Sequence, residues 1–217
     1  MPELRLHDYG PSAQCLKVRI LLAQLGLPYE RVPVDIFGGD TLTDAFAARN
    51  PVRKTPVLET QDGRFLPESN AILWYLAEGT ELLSGGRFER ADVVRWLLFE
   101  QNMVIPALSW LRFALITGRL TPDEPETTRL QAEAAHVLSL LDTHLAASGL
   151  MVGGRYSIAD ISLYGYTHLA PQAGIELAAY PAVGAWLRRV EGQPGFVNDL
   201  EPYPANALPG AGRSIYG

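Results

Sequence analysis

Cysteine is nearly absent from this chain of 217 residues. Cys15 stands alone, so no internal disulfide can form, and the composition suits a reducing compartment. Basic residues are also few: 18 Lys and Arg against 24 Asp and Glu give a formal charge of -6 and a pI near 5.2. A phosphate backbone is bound by clustered Lys and Arg, so this balance argues against nucleic acid as a partner. No stretch approaches the roughly 20 apolar residues of a membrane span. The richest, Ala107–Ile116, is interrupted by Arg112. The opening Met1-Pro2-Glu3-Leu4-Arg5 mixes charges at once and lacks the apolar core of a signal peptide, so the expected location is the cytoplasm. His7, His136, His144 and His168 form no short-range cluster with other ligand types, and no metal is expected.

What the chain does hold is core material, 47% hydrophobic residues, which places it with ordinary globular proteins rather than disordered ones. Residues 3–7 alternate polar and apolar side chains and 28–34 partly do, which predicts two short strands. Between them Ser12 suits an N-cap, Leu16, Ile20, Ala23 and Leu25 supply an apolar stripe, and Gly26 closes the helix. A second helix is expected over 41–48, stopped by Asn50-Pro51. Two strands, 56–59 and 65–66, flank the Asp62-Gly63 hairpin signal, and a helix over 69–78 completes a βαβαββα order. A Gly- and Ser-containing linker follows, and then a helical half. One long helix is expected over 88–117 with a kink at Pro106, a second over 123–147, a third from Ser157-Ile158-Ala159-Asp160, and a fourth over 181–191. The tail after Pro194, rich in Pro, Gly and Asn, reads as irregular. The predicted domains are 1–79, a linker at 80–87, and 88–217.

Three segments suggest chemistry. At Tyr9-Gly10-Pro11-Ser12-Ala13-Gln14-Cys15 a strand turns into a helix, whose free N–H groups and positive dipole end stabilise an anion. A hydroxyl at Ser12 donating to a thiolate would lower the thiol pKa; two units correspond to roughly 2.7 kcal/mol. Ser12 is equally suited to be a plain helix cap. Cys15, near Lys17, is open to two readings, a low-pKa nucleophile or a small buried hydrophobe, and Tyr9 offers a further hydroxyl. In Lys54-Thr55-Pro56-Val57, a proline opens a strand where a cis bond can turn the chain. In Pro67-Glu68-Ser69-Asn70, Ser69 and the first helical N–H groups could hold a carboxylate while Glu68 pairs with an ammonium, which describes a zwitterionic amino acid. An N-cap with an acidic neighbour explains the same residues.

Taken together, Ser12, Lys54-Thr55-Pro56 and Glu68-Ser69-Asn70-Ala71-Ile72 on this frame, ahead of an all-helical half, resemble the cytosolic glutathione transferases over essentially the whole chain. The first helix is similar to a bacterial group opening Ser-Gly-Asn-Cys-Tyr-Lys, matched here at Ser12, Cys15 and Lys17. The resemblance implies a thioredoxin-like first domain and an all-helical second one. It implies that Ser12 polarises the glutathione sulfur, and that the Thr55 backbone pairs with the cysteinyl peptide beside a cis-Pro56. Glu68 and Ser69 would hold the γ-glutamyl end and Lys54 the glycyl carboxylate. It also implies a homodimer through the third and fourth helices, which carry Trp74, Trp96 and Phe99, and a role in detoxification.

This chain departs from that group in two places. Ala13-Gln14 replace Gly-Asn, and Asn102-Met103-Val104-Ile105 stand where Tyr and His are frequent. A second-substrate pocket lined by Tyr9, Pro11, Met103, Trp110 and Phe113 would therefore be more apolar. The expected activity is conjugation of glutathione, as co-substrate, to an apolar electrophile. Two other readings remain open: glutathione-dependent disulfide reduction or peroxidase chemistry, through two glutathiones or a mixed disulfide at Cys15, and a non-catalytic glutathione binder.

Overall fold

A computed structural model describes residues 4–83 and 85–216. Glu3, in the first expected strand, and Ser84, in the expected linker, lie outside the described residues. Four strands, β1 (Leu4–Asp8), β2 (Tyr29–Pro33), β3 (Val57–Glu59) and β4 (Phe65–Pro67), form one sheet in the order β2-β1-β3-β4. β2 runs parallel to β1, while β3 pairs antiparallel with both β1 and β4. The parallel pair requires a crossover, and α1 (Ala13–Gln24) supplies it. The antiparallel pair β3–β4 closes through the predicted turn, where Gly63 has φ 76° and Gly63 N–H donates to the Thr60 carbonyl at 2.8 Å.

The chain divides into two compact units, Met1–Leu76 with Val197–Gly217, and Ala77–Phe196. The first is the thioredoxin-like sheet and its helices. Burial on α1 is broader than the expected stripe: Ala13 and every residue from Cys15 to Leu22 are buried, including Lys17 and Arg19. The expected helix over 41–48 is instead a 3-10 turn, Asp40–Leu42, and a single helical turn, α2 (Asp44–Ala47). Thr43 separates them, because its extended backbone (ψ 151°) lets its side chain accept from Phe46 N–H and start a new helix. α3 (Ser69–Ala77) ends the block.

The second unit is helical. The helix expected over 88–117 is divided into α4 (Arg87–Phe99), a π-helical segment (Glu100–Ser109) and α5 (Trp110–Ile116). Pro106 has no N–H and its ring crowds the preceding turn; the wider turns of the π segment take up both defects where a single kink was expected. The side chain of Asn102 donates to the Leu98 carbonyl at 2.9 Å in the same region. α6 (Pro125–Ser148), α7 (Ile158–Thr167) and α8 (Pro181–Glu191) complete the bundle. α7 is buried along its whole length. Its start is a capping box: Ser157 accepts from Ala159 N–H, and the Asp160 carboxylate accepts from Ser157 N–H at 3.0 Å. Asp160 also accepts from Met151 N–H at 3.0 Å and Trp186 Nε1–H at 2.9 Å, which locks α7 to α8. Trp96, on one of the two helices expected to form a dimer contact, is buried within this unit against Phe99 and His144, with ring centroids 5.2 and 4.5 Å away. The exposed large apolar residues of α3 and α4 are Tyr75, Phe88, Val94 and Leu98.

The tail, grouped with the helical half in the sequence reading, packs on the first unit. Arg19 donates to Asp8 and to Asp199, each at 2.7 Å, and Arg31 donates to Asp8 and, at 2.8 Å, to Glu201. Main-chain bonds add to this: Glu201 N–H to the Gly10 carbonyl at 3.3 Å and Arg213 N–H to the Phe37 carbonyl at 2.7 Å. Gly212 sits so close that a Cβ there would lie 2.3 Å from the Asn206 carbonyl oxygen and 2.6 Å from that of Phe37. No helix among the described residues is long and apolar enough to cross a membrane.

Candidate functional site

Ser12 is the N-cap of α1, with φ -82° and ψ 120°. Its carbonyl accepts the first helical bond from Leu16 N–H at 3.0 Å, and its Oγ accepts from Cys15 N–H at 3.3 Å. A hydroxyl that accepts in this way keeps its own hydrogen to donate. The Cys15 sulfur close by is one partner available for that hydrogen.

Cys15 does not have the environment of a nucleophile. It is fully buried, and burial, followed by the charge of Asp8, pushes its thiol up to about 12, against the lowering effect of bonds from Tyr9 N–H, Ser12 and Thr55. At neutral pH it stays a thiol and behaves as the small buried hydrophobe. Ser12 is therefore not drawn to a thiolate inside the protein.

The contact between Thr55 and the Cys15 sulfur brings the second motif to the first turn of α1. The Thr55–Pro56 bond is cis, and β3 follows, pairing Val57 with His7 of β1. Lys54 is exposed, and its carbonyl accepts from Asn50 Nδ2 at 2.8 Å. The third motif arrives through α3. Ser69, buried, donates from Oγ to Gln14 Oε1 at 2.8 Å, and one turn further on buried Lys17 donates to Asn70 Oδ1 at 3.1 Å. Glu68 precedes this helix with φ 71°, in the left-handed region, and its side chain is exposed. A non-glycine residue held there costs about 1–3 kcal/mol, and such residues cluster at ligand clamps.

Of the residues expected around a second substrate, Tyr9 and Pro11 line a cleft of about 370 Å³ that lies wholly within the first unit. Its other walls come from the end of β2 and from the tail, among them Arg31, Glu201, Pro202 and Pro204. Tyr9 is buried, its ring 6.0 Å from that of Phe37 and 6.5 Å from that of Tyr203. Met103, on the π segment, is half-buried, while Trp110 of α5 is exposed and Phe113 buried, with ring centroids 5.8 Å apart. Among the described residues no group of three or more His, Cys, Asp or Glu side chains is placed to hold a metal ion.

Sequence reasoning missed the Gln14–Ser69 and Lys17–Asn70 pairs and every tail residue of the cleft. Gln14 was singled out only as a departure. The tail carried no signal, because Glu201 meets Arg31 across 170 residues.

Known proteins share this arrangement. Residues 11–78 match the family of the glutathione S-transferase N-terminal domain, and residues 104–194 that of the C-terminal domain. Glutathione S-transferase 3 of Zea mays is 31% identical over 215 residues, covering 94% of this chain and 96% of that protein. Disulfide-bond oxidoreductase YfcG of Escherichia coli is 31% identical over 194 residues, 86% of this chain and 89% of that protein. Elongation factor 1-gamma of Artemia salina is 29% identical over 174 residues; the match spans 78% of this chain but only 40% of that protein. Among solved structures, a glutathione S-transferase from Pseudomonas fluorescens superposes with a TM-score of 0.88 at 40% identity, covering 92% of this chain and all of that one. A glutathione transferase family member from the same species, solved with two glutathione bound, gives a TM-score of 0.79 at 28% identity over 92% of this chain and 93% of that one. The chain belongs to the glutathione S-transferase family.

Proposed function

We propose that this protein is a glutathione transferase of the serine type found in the bacterial group, which holds glutathione as a thiolate beside Ser12 and transfers its sulfur to an apolar electrophile. The observation that carries this reading is the convergence of three separate segments on the first turn of α1. Ser12 caps that turn, Thr55 reaches the Cys15 sulfur within it, and Ser69 bonds Gln14. The N–H groups at the start of α1 and the Ser12 hydroxyl stabilise the sulfur anion. The Thr55 backbone pairs with the cysteinyl peptide, Glu68 takes the γ-glutamyl ammonium, Ser69 and the first N–H groups of α3 take its carboxylate, and Lys54 takes the glycyl carboxylate.

The thiol proton leaves to water. A sulfur lone pair then forms the new C–S bond, and either a halide departs with its bonding pair or an activated double bond accepts the pair and is protonated from water. The protein acts as a cytoplasmic homodimer in detoxification, and Tyr75, Val94 and Leu98 are the exposed apolar side chains suited to meet a second copy.

The test is ultraviolet difference titration of bound glutathione. A thiol pKa one to two units below the free value near 8.5 is expected, returning to the free value in Ser12→Ala, with a matching fall in turnover. Full turnover in Ser12→Ala would sink the role given to Ser12.

Glutathione-dependent disulfide reduction has support of its own in the relative named a disulfide-bond oxidoreductase and in the neighbour with two glutathione bound. The burial of Cys15 disfavours the covalent route and leaves the route through two glutathiones. Consumption of a model disulfide faster than conjugation would favour it. Tight binding of glutathione with neither activity would favour a binding role, in keeping with the elongation-factor relative.

A further inference from the structure

Two adjacent cations, Arg53 and Lys54, lead into the cis-Pro56 segment, and their surroundings differ. The Lys54 side chain is exposed and enters no ion pair among the described residues. Arg53 is half-buried, and its Nη1 donates to two main-chain carbonyls, that of Thr41 at 2.9 Å and that of Thr43 at 3.0 Å. Its Nη2 lies 3.8 Å from the exposed Asp44 carboxylate, a weak pair. The guanidinium is thus committed to the backbone of a neighbouring turn, and Lys54 is the cation left to meet an incoming carboxylate.

The backbone at Arg53 is as unusual as its side chain. Its φ is 60°, and Arg53 and Glu68 are the only non-glycine residues with positive φ among the described residues. One stands directly before Lys54 and Thr55, the other directly before Ser69, so both sit at the entry of a segment that converges on the first turn of α1. Buried Asn50 folds the loop that ends there: its Oδ1 accepts from Val52 N–H at 3.0 Å and its Nδ2 donates to the Lys54 carbonyl.

The turn that receives the guanidinium is itself held from behind. Asp40 N–H donates to the Asp35 carbonyl at 3.1 Å, and the Asp40 carboxylate accepts from Asp35 N–H at 2.8 Å. The tail fixes Asp35 in turn, through Asn206 Nδ2 at 3.0 Å. Thr41 stays buried in this turn although its Oγ1 has no hydrogen-bond partner among the described residues. A turn tied in this way is an anchor for whatever bonds to it.

We propose that Arg53 is a positioning residue of the glutathione site. By fastening the 53–55 segment to the Asp40–Thr43 turn, it sets where Lys54 and the Thr55 backbone meet the tripeptide, without touching the tripeptide itself. The proposal rests on the glutathione-binding reading.

The test is calorimetric titration of S-methylglutathione, and of the same compound with its glycyl carboxylate amidated, into the native protein and into Arg53→Gly. Glycine takes this φ freely, so the variant deletes the guanidinium and leaves the loop its conformation. Arg53→Asn, which also tolerates the left-handed region, is the second variant. For S-methylglutathione the dissociation constant is expected to rise roughly three- to tenfold in both, the scale of one intramolecular hydrogen bond. The amidated compound should weaken too, by roughly two- to fivefold, because the Thr55 contact to the cysteinyl peptide does not involve the glycyl end. At saturating glutathione, kcat should stay within about twofold of native, since the group lost acts on ground-state binding.

Unchanged dissociation constants for both compounds, even with a lower melting temperature, would reduce Arg53 to a tie within the fold and overturn the proposal. Weakening of the unamidated compound alone would make Arg53 a direct partner of the glycyl carboxylate and overturn it equally. Native protein that binds neither compound would sink the glutathione reading itself, a failure seen before any substitution is made.

Discussion

Ser69 gives its hydroxyl hydrogen to Gln14 Oε1 at 2.8 Å, so the first turn of α3 is tied to the first turn of α1. A serine has a single hydrogen to donate, and this one is committed. In the proposed function Ser69 is thus left its backbone N–H to offer a carboxylate, with its side chain held by Gln14. In Gln14→Leu the KM for glutathione is expected to rise roughly three- to tenfold with kcat nearly unchanged, because ground-state binding is what is lost. The buried hydroxyl left without its partner costs about 1–3 kcal/mol, visible as a lower melting temperature. An unchanged KM would remove Gln14 from the site.

Glu68 holds a backbone conformation that favours glycine. Its φ of 71° suits glycine, so Glu68→Gly should stabilise the fold by about 1 kcal/mol in urea unfolding. The same variant should raise the KM for glutathione and spare a substrate that lacks the γ-glutamyl ammonium. If glycine stabilises without weakening binding, the strain serves no ligand.

Cys15 should be silent. With its thiol held near pKa 12 and no exposure, native protein treated with iodoacetamide or glutathione disulfide at pH 8 should show no mass increase. Cys15→Ala should keep its glutathione activity and lose about 1 kcal/mol or more of stability, the scale of small core deletions. A glutathione adduct on the native protein would restore the mixed-disulfide route.

His168 makes the fold acid-sensitive. Burial, followed by the charge of Arg112, lowers its pKa from 6.5 to about 4; Nδ1 lies 2.7 Å from the Tyr164 carbonyl, and Nε2 has no hydrogen-bond partner among the described residues. Between pH 6.5 and 4 the unfolded chain holds a proton that the folded one refuses, so stability is full above 6.5 and falls as the pH drops toward 4. The steepest slope is about 1.4 kcal/mol per pH unit for one proton. His7 is shifted in the same direction by burial. His168→Phe, which keeps a ring to stack on Tyr164, should flatten the profile by one proton, as measured by urea unfolding across that range.

The tail depends on a buried charge rather than on exposed ones. Arg19 and Asp8 have fully buried side chains, so Arg19→Leu leaves Asp8 without one of its two partners and should cost about 3–5 kcal/mol. Asp199, with a side chain 47% exposed, should matter by less than about 1 kcal/mol when replaced by alanine. Hydrogen exchange at the Glu201 and Arg213 amides, which bond Gly10 and Phe37, should quicken in Arg19→Leu and stay near the native rate in Asp199→Ala.

The sequence carried whatever depended on near neighbours in the chain. The alternation in 3–7, Ser12 before an apolar run, the Asp62-Gly63 turn, and Ser157 three residues before Asp160 are all local. Each produced the expected strand, cap, hairpin or capping box, because backbone dihedrals and hydrogen bonds over a few residues settle such features. The division at Pro106 was only half legible. A proline announces a defect in a helix, but whether the chain kinks there or widens into π turns depends on the helices packed against it.

Burial and long-range pairing were decided by the tertiary structure alone. The sequence left Cys15 open between nucleophile and core, because a thiol pKa is set by the surroundings it finishes in. Gln14 could not be matched to Ser69, nor Arg31 to Glu201, since those partners meet only once α3 and the tail have docked. By itself, the sequence determined most of the elements, their order and the three motifs. Only the folded chain decided which of their polar groups lost water and which met each other, because desolvation and charge pairing act through space and leave no periodic mark along the chain.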